Sequence, residues 1–390
     1  AAQVGALPDP SLTYRYFIEE VETRVGAQRQ AVALAQRFPW LGKLPLRAGA
    51  AADAADAERQ RYEARKLALF YAVKEAYYEY YYLRRAVATV EENMQLLRNS
   101  EQIARTRYSA LAAGHPDVLR IQVELGRLDD QLRTLKDLRG PISARLNAAM
   151  NRPVEDVLPW PQAIEDRDAA VSQGPLLASL EQSNPELKAL GHEISESRRR
   201  VDLAKKDYFP DVTLGVDYIQ TAPSTHGRHP ADDGKDPVIA MVSVNLPIWR
   251  DKLAAGLREA RHRHIAAVRR RKQKANSLSA ELKLVLYRYR DAERKIGLYR
   301  DTLLPKARQG FTAAQVAFQA GKASFTDLVD AQRALLEFQL AFERALSNKA
   351  QRLAELEMLT GREVPRAATG KPPAAASTNG GGTIRADEET

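Results

Sequence analysis

The sequence predicts a mainly α-helical protein with a transmembrane β part, built from a duplicated unit in which a strand pair precedes long coiled-coil helices. Three observations support this fold class: a duplication, strand-like alternation ahead of each helical stretch, and a heptad repeat in both halves. The duplicated positions lie 210 residues apart: Tyr108, Asp117, Val118, Leu119, Gln122, Leu146 and Arg152 correspond to Phe318, Asp327, Leu328, Val329, Gln332, Leu356 and Arg362.

The composition of the 390 residues excludes several classes of protein. With 44% hydrophobic and 28% charged residues, the chain is neither disordered nor a helical membrane protein, since no stretch approaches the ~18–20 apolar residues of a transmembrane helix. The absence of cysteine excludes disulfides, a thiolate zinc site and a cysteine nucleophile. The net charge of +9 allows contact with nucleic acid or an anionic membrane, but we interpret it as basic residues scattered over solvated helices.

Four segments alternate with the two-residue period of a β-strand. In the first segment, Leu12, Tyr14 and Tyr16 share one face, and polar residues occupy the other face. Each segment is near the ~9–11 residues that a tilted strand needs to cross a bilayer. The sequence therefore predicts two strand pairs of bilayer length, at residues 11–20, 25–37, 211–220 and 238–246.

Long helices follow each strand pair, at about residues 50–112 and 251–320. Their apolar positions are spaced alternately by four and three residues, which specifies a left-handed coiled coil. Shorter helices are predicted at about 117–151, 184–208 and 325–360. The heptad positions are Leu69, Val73, Ala76, Tyr80, Leu83, Val87, Val90, Met94 and Leu97 in the first half, and Leu278, Leu282, Val285, Tyr289, Ala292, Ile296, Tyr299 and Leu303 in the second.

These elements divide the chain into a first repeat at 1–152, a proline-containing segment at 153–183, a second repeat at 184–364 and a disordered tail at 365–390. The counterpart of the helix at 184–208 would lie ahead of residue 1. We therefore expect a processed or truncated fragment in which the first helix of the first repeat is mostly missing.

Several short motifs recur in a fixed order, and partly in duplicate, along residues 1 to about 364. They lie at residues 7–10, 36–44, 184–187, 207–211, 245–249 and 318–332. In these motifs and their order the chain resembles the TolC-like outer-membrane efflux family. Its Gly-Lys-Leu sequence at 42–44 resembles that of the branch that exports metal ions or small toxic compounds.

The resemblance implies a homotrimer in which three copies supply four strands each to a 12-stranded β-barrel, continued by a periplasmic α-helical barrel. It implies a location in the outer membrane, in contact with outer-membrane lipid, with a long periplasmic extension. It also implies two protein partners, a periplasmic adaptor (membrane fusion) protein and an inner-membrane pump. Members of the family are passive conduits.

The resemblance also assigns site residues to the two helical turns. The expected channel gate comprises Asp327, Asp330, Asp117 and Arg120. Because Ser324 lies three residues before Asp327, helix capping alone is the alternative role of that aspartate. Asp330 lies outside this capping box and is the better gate candidate. The expected adaptor-docking tip comprises Gly114, His115, Gly321, Lys322, Ala323 and Ser324.

Two other patterns, a basic run and a pair of histidines, give weaker indications of nucleic-acid binding and metal binding. The basic run from Arg258 to Lys274, ahead of the heptads, resembles a basic-region leucine zipper. Pro305 interrupts those heptads and strands precede the run, so we interpret it as a solvated helix face and predict no nucleic-acid partner. His262 and His264 are two residues apart and diverge on a helix, so they are not expected to chelate a metal ion.

The sequence therefore predicts the exit duct of a tripartite efflux pump, gated at its periplasmic helix tip and conducting small toxic compounds or metal ions outward. The alternative is a coiled-coil scaffold of the cell envelope without a pore, although a scaffold does not need bilayer-length strands with one apolar face. No cofactor, metal site or catalytic residue is predicted. The chain lacks a Gly-rich phosphate loop, a nucleophile elbow and an HExxH motif, so it is not expected to be an enzyme.

Overall fold

The computed structural model describes residues 2–109, 115–162, 169, 171–225 and 231–365, and for 107–109 and 115–117 it describes the backbone alone. None of the helices in these ranges combines the length and apolar composition that a membrane crossing requires. The predicted tail from residue 366 onward lies outside the described residues.

Four antiparallel strands form one sheet in the order β1-β2-β3-β4. They span β1 (Ser11–Thr23), β2 (Gly26–Phe38), β3 (Val212–Thr221) and β4 (Val238–Val244). The predicted strands are confirmed, with shifts of up to three residues at their ends. The two predicted pairs lie side by side, because β2 of the first repeat pairs with β3 of the second.

The turn between β1 and β2 depends on a glycine. Gly26 has a φ of +119°, a conformation that side-chain-bearing residues rarely adopt. A Cβ at this position would also lie 1.7 Å from the carbonyl oxygen of Ala222, so the close approach of this turn to the segment after β3 excludes any side chain.

The helices agree with the expected pattern, with two interruptions. Pro305 lacks an N–H and its ring crowds the preceding turn, and the long helix of the second half contains a π-helical turn just before it, at Tyr299–Leu303. The predicted helix 117–151 is divided at Leu138, where Gly140 and Pro141 follow. The helices are α1 (Ala2–Gly5), α2 (Lys43–Ser109), α3 (His115–Asp137), α4 (Arg139–Ala149), α5 (Gln173–Ser183), α6 (Pro185–Lys206), α7 (Arg250–Leu298), α8 (Leu304–Gln319) and α9 (Phe325–Thr360).

The described residues form two compact units, and parts of both predicted repeats occur in each. The first unit comprises residues 1–70, 177–284 and 358–361 and contains the sheet. The second unit comprises the described residues of 71–176, 285–357 and 362–390 and contains the large apolar cluster. Most predicted heptad positions of α2 are buried in this cluster, whereas Leu69, in the first unit, is 51% exposed.

Candidate functional site

The sheet of the first unit has one strongly apolar face that is open to its surroundings. Because side chains alternate along each strand and the register aligns the strands, the apolar residues gather in rows across the sheet. Monomeric soluble proteins rarely expose contiguous apolar surface of this kind. The exposed residues of this face include Leu12, Tyr14, Tyr16, Val32, Leu34, Leu214, Val216, Tyr218, Val238, Val242 and Val244.

Aromatic residues lie in one row across this apolar face and again at one of its ends. In that row Tyr14 and Tyr218 flank Val32; the Tyr14 hydroxyl donates a 2.8 Å hydrogen bond to Gln30 Oε1, and the Tyr218 hydroxyl donates to Asp236. At the end where α2 and α7 begin, Trp249 is 73% exposed beside the exposed Ile248. Aromatic side chains with a polar tip or edge favour the boundary between lipid and water, so this arrangement is typical of a sheet that crosses a membrane.

The opposite face carries mostly small or polar residues and one ion pair, together with Ile219, Ile239 and Met241. Arg15 on β1 donates a hydrogen bond from Nη2 to Asp217 Oδ2 on β3, at 2.9 Å. Most of its other members are small: Ser11, Thr13, Ala31, Ala33, Ala35, Thr213, Gly215 and Ser243. A sheet with one apolar and one polar face can separate lipid from water.

A buried cluster around Asp211 joins the sheet to the start of α2. The carboxylate accepts hydrogen bonds from Lys43 Nζ at 2.8 Å, from the Trp40 backbone N–H at 2.9 Å and from Arg37. Burial would raise the pKa of Asp211, but these bonds to the charged form outweigh it and hold the pKa at about 2. The junction therefore contains a carboxylate that stays ionised at neutral pH.

In the second unit, the turn between α8 and α9 is a compact, capped structure. Gly321 has a φ of +75° and ends α8, and Phe318 contacts Phe325 across the turn with ring centroids 6.1 Å apart. The Ser324 backbone N–H donates to Asp327 Oδ2 at 2.9 Å, and the Asp327 backbone N–H donates to Ser324 Oγ at 3.2 Å. This is a capping box.

The capping box accounts for the environment of Asp327. The Ser324 hydroxyl and backbone N–H lower the pKa of this exposed aspartate because they bond to its ionised form. Asp330, one turn later, is also exposed, and Arg333 Nη1 lies 3.8 Å from its Oδ1. Of the predicted gate carboxylates, Asp327 and Asp330 are therefore solvent-accessible, and the capping role of Asp327 coexists with that accessibility.

The remaining predicted site residues are partly outside the described residues and partly exposed at the turns. Gly114 and the side chains of His115 and Asp117 lie outside the described residues. Arg120 is exposed on α3. In the turn after α8, the residues Gly321, Lys322 and Ser324 are exposed and Ala323 is half-buried.

An ion pair that the sequence analysis missed joins α3 to α9. Arg333 donates from Nε and Nη2 to the two carboxylate oxygens of Glu124, at 3.0 and 2.6 Å, and Arg127 Nη1 lies 3.0 Å from Oε2. Glu124 is 4% exposed, and the hydrogen bond from Arg333 lowers its pKa. The sequence signal that could have identified Glu124 is its spacing: it lies three residues after Ile121 and four before Leu128, both buried, and so on the buried face of α3.

A second polar contact joins α2 to α9 within the same unit. Asn93 donates from Nδ2 to Gln339 Oε1 at 2.7 Å, and Gln332 donates from Nε2 to Asn93 Oδ1 at 3.2 Å. Asn93 and Gln332 have no exposed surface. Buried amides of this kind fix the register of packed helices because a shifted register would leave them unpaired.

The histidine and basic patterns have no metal-binding or nucleic-acid geometry in the described part of the chain. His264 Nδ1 lies 2.9 Å from Ser197 Oγ, and no described group of three or more metal-ligating residues occurs. The basic run on α7 is mostly exposed, and Lys274 is paired with Glu186 at 2.5 Å.

Comparisons with known proteins agree with this geometry. The family model described as "Outer membrane efflux protein" matches residues 176–362. The cobalt-zinc-cadmium resistance protein CzcC of Cupriavidus metallidurans is 24% identical over 198 residues, covering 50% of this chain and 46% of CzcC. Toxin and drug export protein A of Aggregatibacter actinomycetemcomitans is 25% identical over 173 residues, covering 42% and 38%. The chain thus spans less than half the length of these curated relatives.

Solved structures share the fold over most of the chain. The outer membrane protein VceC of Vibrio cholerae has a TM-score of 0.75 at 18% identity, covering 93% of this chain and 89% of VceC. CusC has a TM-score of 0.77 at 14% identity, covering 93% and 85%. The open-state MtrE channel of Neisseria gonorrhoeae has a TM-score of 0.72 at 16% identity, covering 92% and 82%.

The predicted fold class is therefore confirmed as that of the TolC-like outer-membrane channels. The matched family model describes efflux proteins of the outer membrane, which agrees with the predicted location and with the prediction that the chain is not an enzyme. The predicted resemblance is likewise confirmed, since residues 176–362 match the family model described as "Outer membrane efflux protein".

Proposed function

We propose that this chain is the exit duct of a tripartite efflux pump, a homotrimer that passively conducts small toxic compounds or metal ions from the periplasm to the outside. A periplasmic adaptor protein and an inner-membrane pump are its proposed partners, and the pump supplies the energy. The two predicted repeats, 1–152 and 184–364, with the segment 153–183 between them, are proposed as the structural units of each protomer.

The observation that carries this proposal is the open, two-faced sheet. Within the described residues, β1 and β4 each pair with a single strand, so both edges retain backbone groups that need partners. In lipid such groups must be satisfied within the protein, and closing a sheet into a barrel achieves this. Three copies with four strands each give twelve strands, with the apolar face toward lipid and the polar face toward a lumen.

The gate is proposed at the helix turns of the second unit. Asp327 and Asp330 are both exposed near the start of α9, so threefold symmetry would gather six carboxylates at the periplasmic entrance. Asp117 and Arg120, at the start of α3, are proposed to complete this entrance. Such a ring would favour cations at the entrance and restrict passage when the tip is contracted.

The adaptor is proposed to dock at the tip formed by the two turns. The exposed backbone of Gly321, the exposed Lys322 and Ser324, and the half-buried Ala323 allow close approach of another helix. Gly114 and His115 are proposed as the corresponding positions of the first turn.

The proposed substrates follow from the relatives. One relative is named for resistance to cobalt, zinc and cadmium, and the other for export of toxin and drugs. A lumen lined mostly by small residues offers few groups that could select a substrate, so substrate choice is assigned to the pump.

Single-channel conductance in a planar bilayer tests the proposal, with the wild type compared with a variant carrying Asp327→Ala and Asp330→Ala. Small cation-preferring currents that grow or lose selectivity in the variant would support the gated duct. If the currents of the variant equal those of the wild type, the exit-duct proposal stands but the gate role of the two aspartates fails, and their role is limited to helix capping and surface charge. Folded, inserted protein without currents would overturn the proposal and favour the coiled-coil scaffold.

A further inference from the structure

The ion pair between Arg15 and Asp217 connects two strands that are not neighbours. Arg15 lies on β1 opposite Ala31 of β2, and Asp217 lies on β3 opposite Ala33 of the same strand. Because β1 and β3 lie on either side of β2, they are separated by about 10 Å, twice the usual strand spacing. Arg15 spans this gap because β2 presents only methyl groups here, and Ala31 is 1% exposed.

The two residues also occupy equivalent positions in the duplicated halves, since they are 202 residues apart, as are Leu12 and Leu214. The two halves thus place opposite charges at one equivalent position. The Arg15 side chain remains 52% exposed and that of Asp217 19% exposed, so the pair faces open space.

This pair stands out on its face because the surrounding residues are small or uncharged. In the rows that pair without a register shift, the other charged residue is Arg37, which binds Asp211 at the helix end. The charges of these rows are therefore matched locally. The same strands carry further charged residues at or beyond the register shifts, nearer the β1–β2 turn, namely Glu19, Glu20, Glu22 and Arg29.

We propose that Arg15 and Asp217 together set the charge of the barrel lumen at their level of the sheet, as a matched pair that keeps this level electrically neutral. This inference rests on the proposed function, because it requires the polar face to line a water-filled lumen. Neutrality lets cationic and anionic solutes pass this level equally well.

The physical consequence is a lumen whose selectivity can be reversed at one position. Threefold symmetry turns a single unmatched residue into three like charges around the same level of the barrel. Such a cluster concentrates counter-ions when the Debye length is about 10 Å, near 0.1 M salt, and much less at 1 M salt, when it is about 3 Å.

The test is the cation-to-anion permeability ratio of three variants, measured in planar bilayers under a salt gradient centred near 0.1 M. We expect Arg15→Gln, which leaves Asp217 unmatched, to raise the ratio several-fold. We expect Asp217→Asn to lower it several-fold, and the double variant to return close to the wild type. Arg152→Gln, which breaks an exposed ion pair outside the strands with Asp156, is the matched control and should leave the ratio unchanged.

The outcomes separate the inference from the proposed function on which it rests. Conducting variants whose ratio does not move, or moves in the same direction in both single variants, would overturn the lumen role of the pair. A ratio that shifts equally at 0.1 M and 1 M salt would also overturn it, because an electrostatic effect must be screened. If the folded and inserted wild type does not conduct, the exit-duct proposal itself fails.

Discussion

Glu124 offers the sharpest test of how the helices of the second unit are held together. Its carboxylate binds Arg333 through two hydrogen bonds, which tie α3 of the first repeat to α9 of the second. The variant Glu124→Gln keeps the size of the side chain and removes its charge. We expect it to loosen this contact and to favour an open arrangement of the duct.

The expected magnitude follows from the unequal burial of the two partners. Removing one partner of a fully buried ion pair costs ~3–5 kcal/mol, whereas an exposed pair contributes ~0–1 kcal/mol. Glu124 is buried but the Arg333 side chain is 49% exposed, so the loss should be about 1–2 kcal/mol. If the contact exists only in the closed state, the ratio of open to closed channels should rise by about 5- to 30-fold.

Open probability in single-channel recordings measures this ratio, and far-UV circular dichroism checks that the helices are retained. A double-mutant cycle with Arg333→Gln isolates the coupling between the two residues. The control is Glu91→Gln, which breaks a 2.8 Å ion pair with Lys136 between α2 and α3, two helices of the same repeat. A Glu124 variant with unchanged open probability and a coupling energy near zero would refute the reasoning.

Three further predictions concern the sheet junction and the helices. The pKa of Asp211, about 2 when folded, lies below the unfolded value of ~3.9, so its contribution exists above the unfolded pKa and is lost as the pH falls through the folded one. In acid denaturation about 2–3 kcal/mol should disappear between roughly pH 5 and pH 1, and Asp211→Asn should abolish this dependence. Pro305→Ala should convert the π-helical turn into regular α-helix and raise the melting temperature; a solved structure that retains the turn would contradict this. Asn93→Leu should cost about 1–3 kcal/mol in thermal denaturation because Gln332 loses its buried acceptor, and adding Gln332→Leu should recover part of the loss; an undiminished melting temperature in the single variant would count against the register role.

The strands and long helices could be predicted because their side-chain periods are local properties of the sequence. Alternation over residues 11–20 fixed which face of β1 is apolar, and the heptads from Ala76 to Leu97 fixed which face of α2 is buried. The interruptions of the helices were harder to predict. Pro305 indicates a break in the heptads, but the π-helical turn before it depends on how the long helix is packed.

The polar contacts between distant segments could not be predicted, because they depend on strand register and helix pairing. The two-residue period places Arg15 and Asp217 on the polar faces of their strands, but their contact requires β1 and β3 to flank β2. Glu124 was visible as an acid on a buried face, but nothing local to the sequence identified Arg333 as its partner. The helix α5 was missed because the prolines of the segment 153–183 suggested irregular structure.

The central claim is that three copies of the sheet close into one barrel, and cysteine cross-linking between the edge strands tests it most directly. The chain contains no cysteine, so a Thr13→Cys substitution on β1 can be combined with a cysteine at each of Ile239, Met241 and Ser243 on β4 without a background signal. Closure predicts that oxidation of the membrane-inserted protein ends at a covalent trimer, about three times the 43.4 kDa of the chain. A protein that stays monomeric for every cysteine pair, or a ladder that continues beyond three copies, would contradict the account.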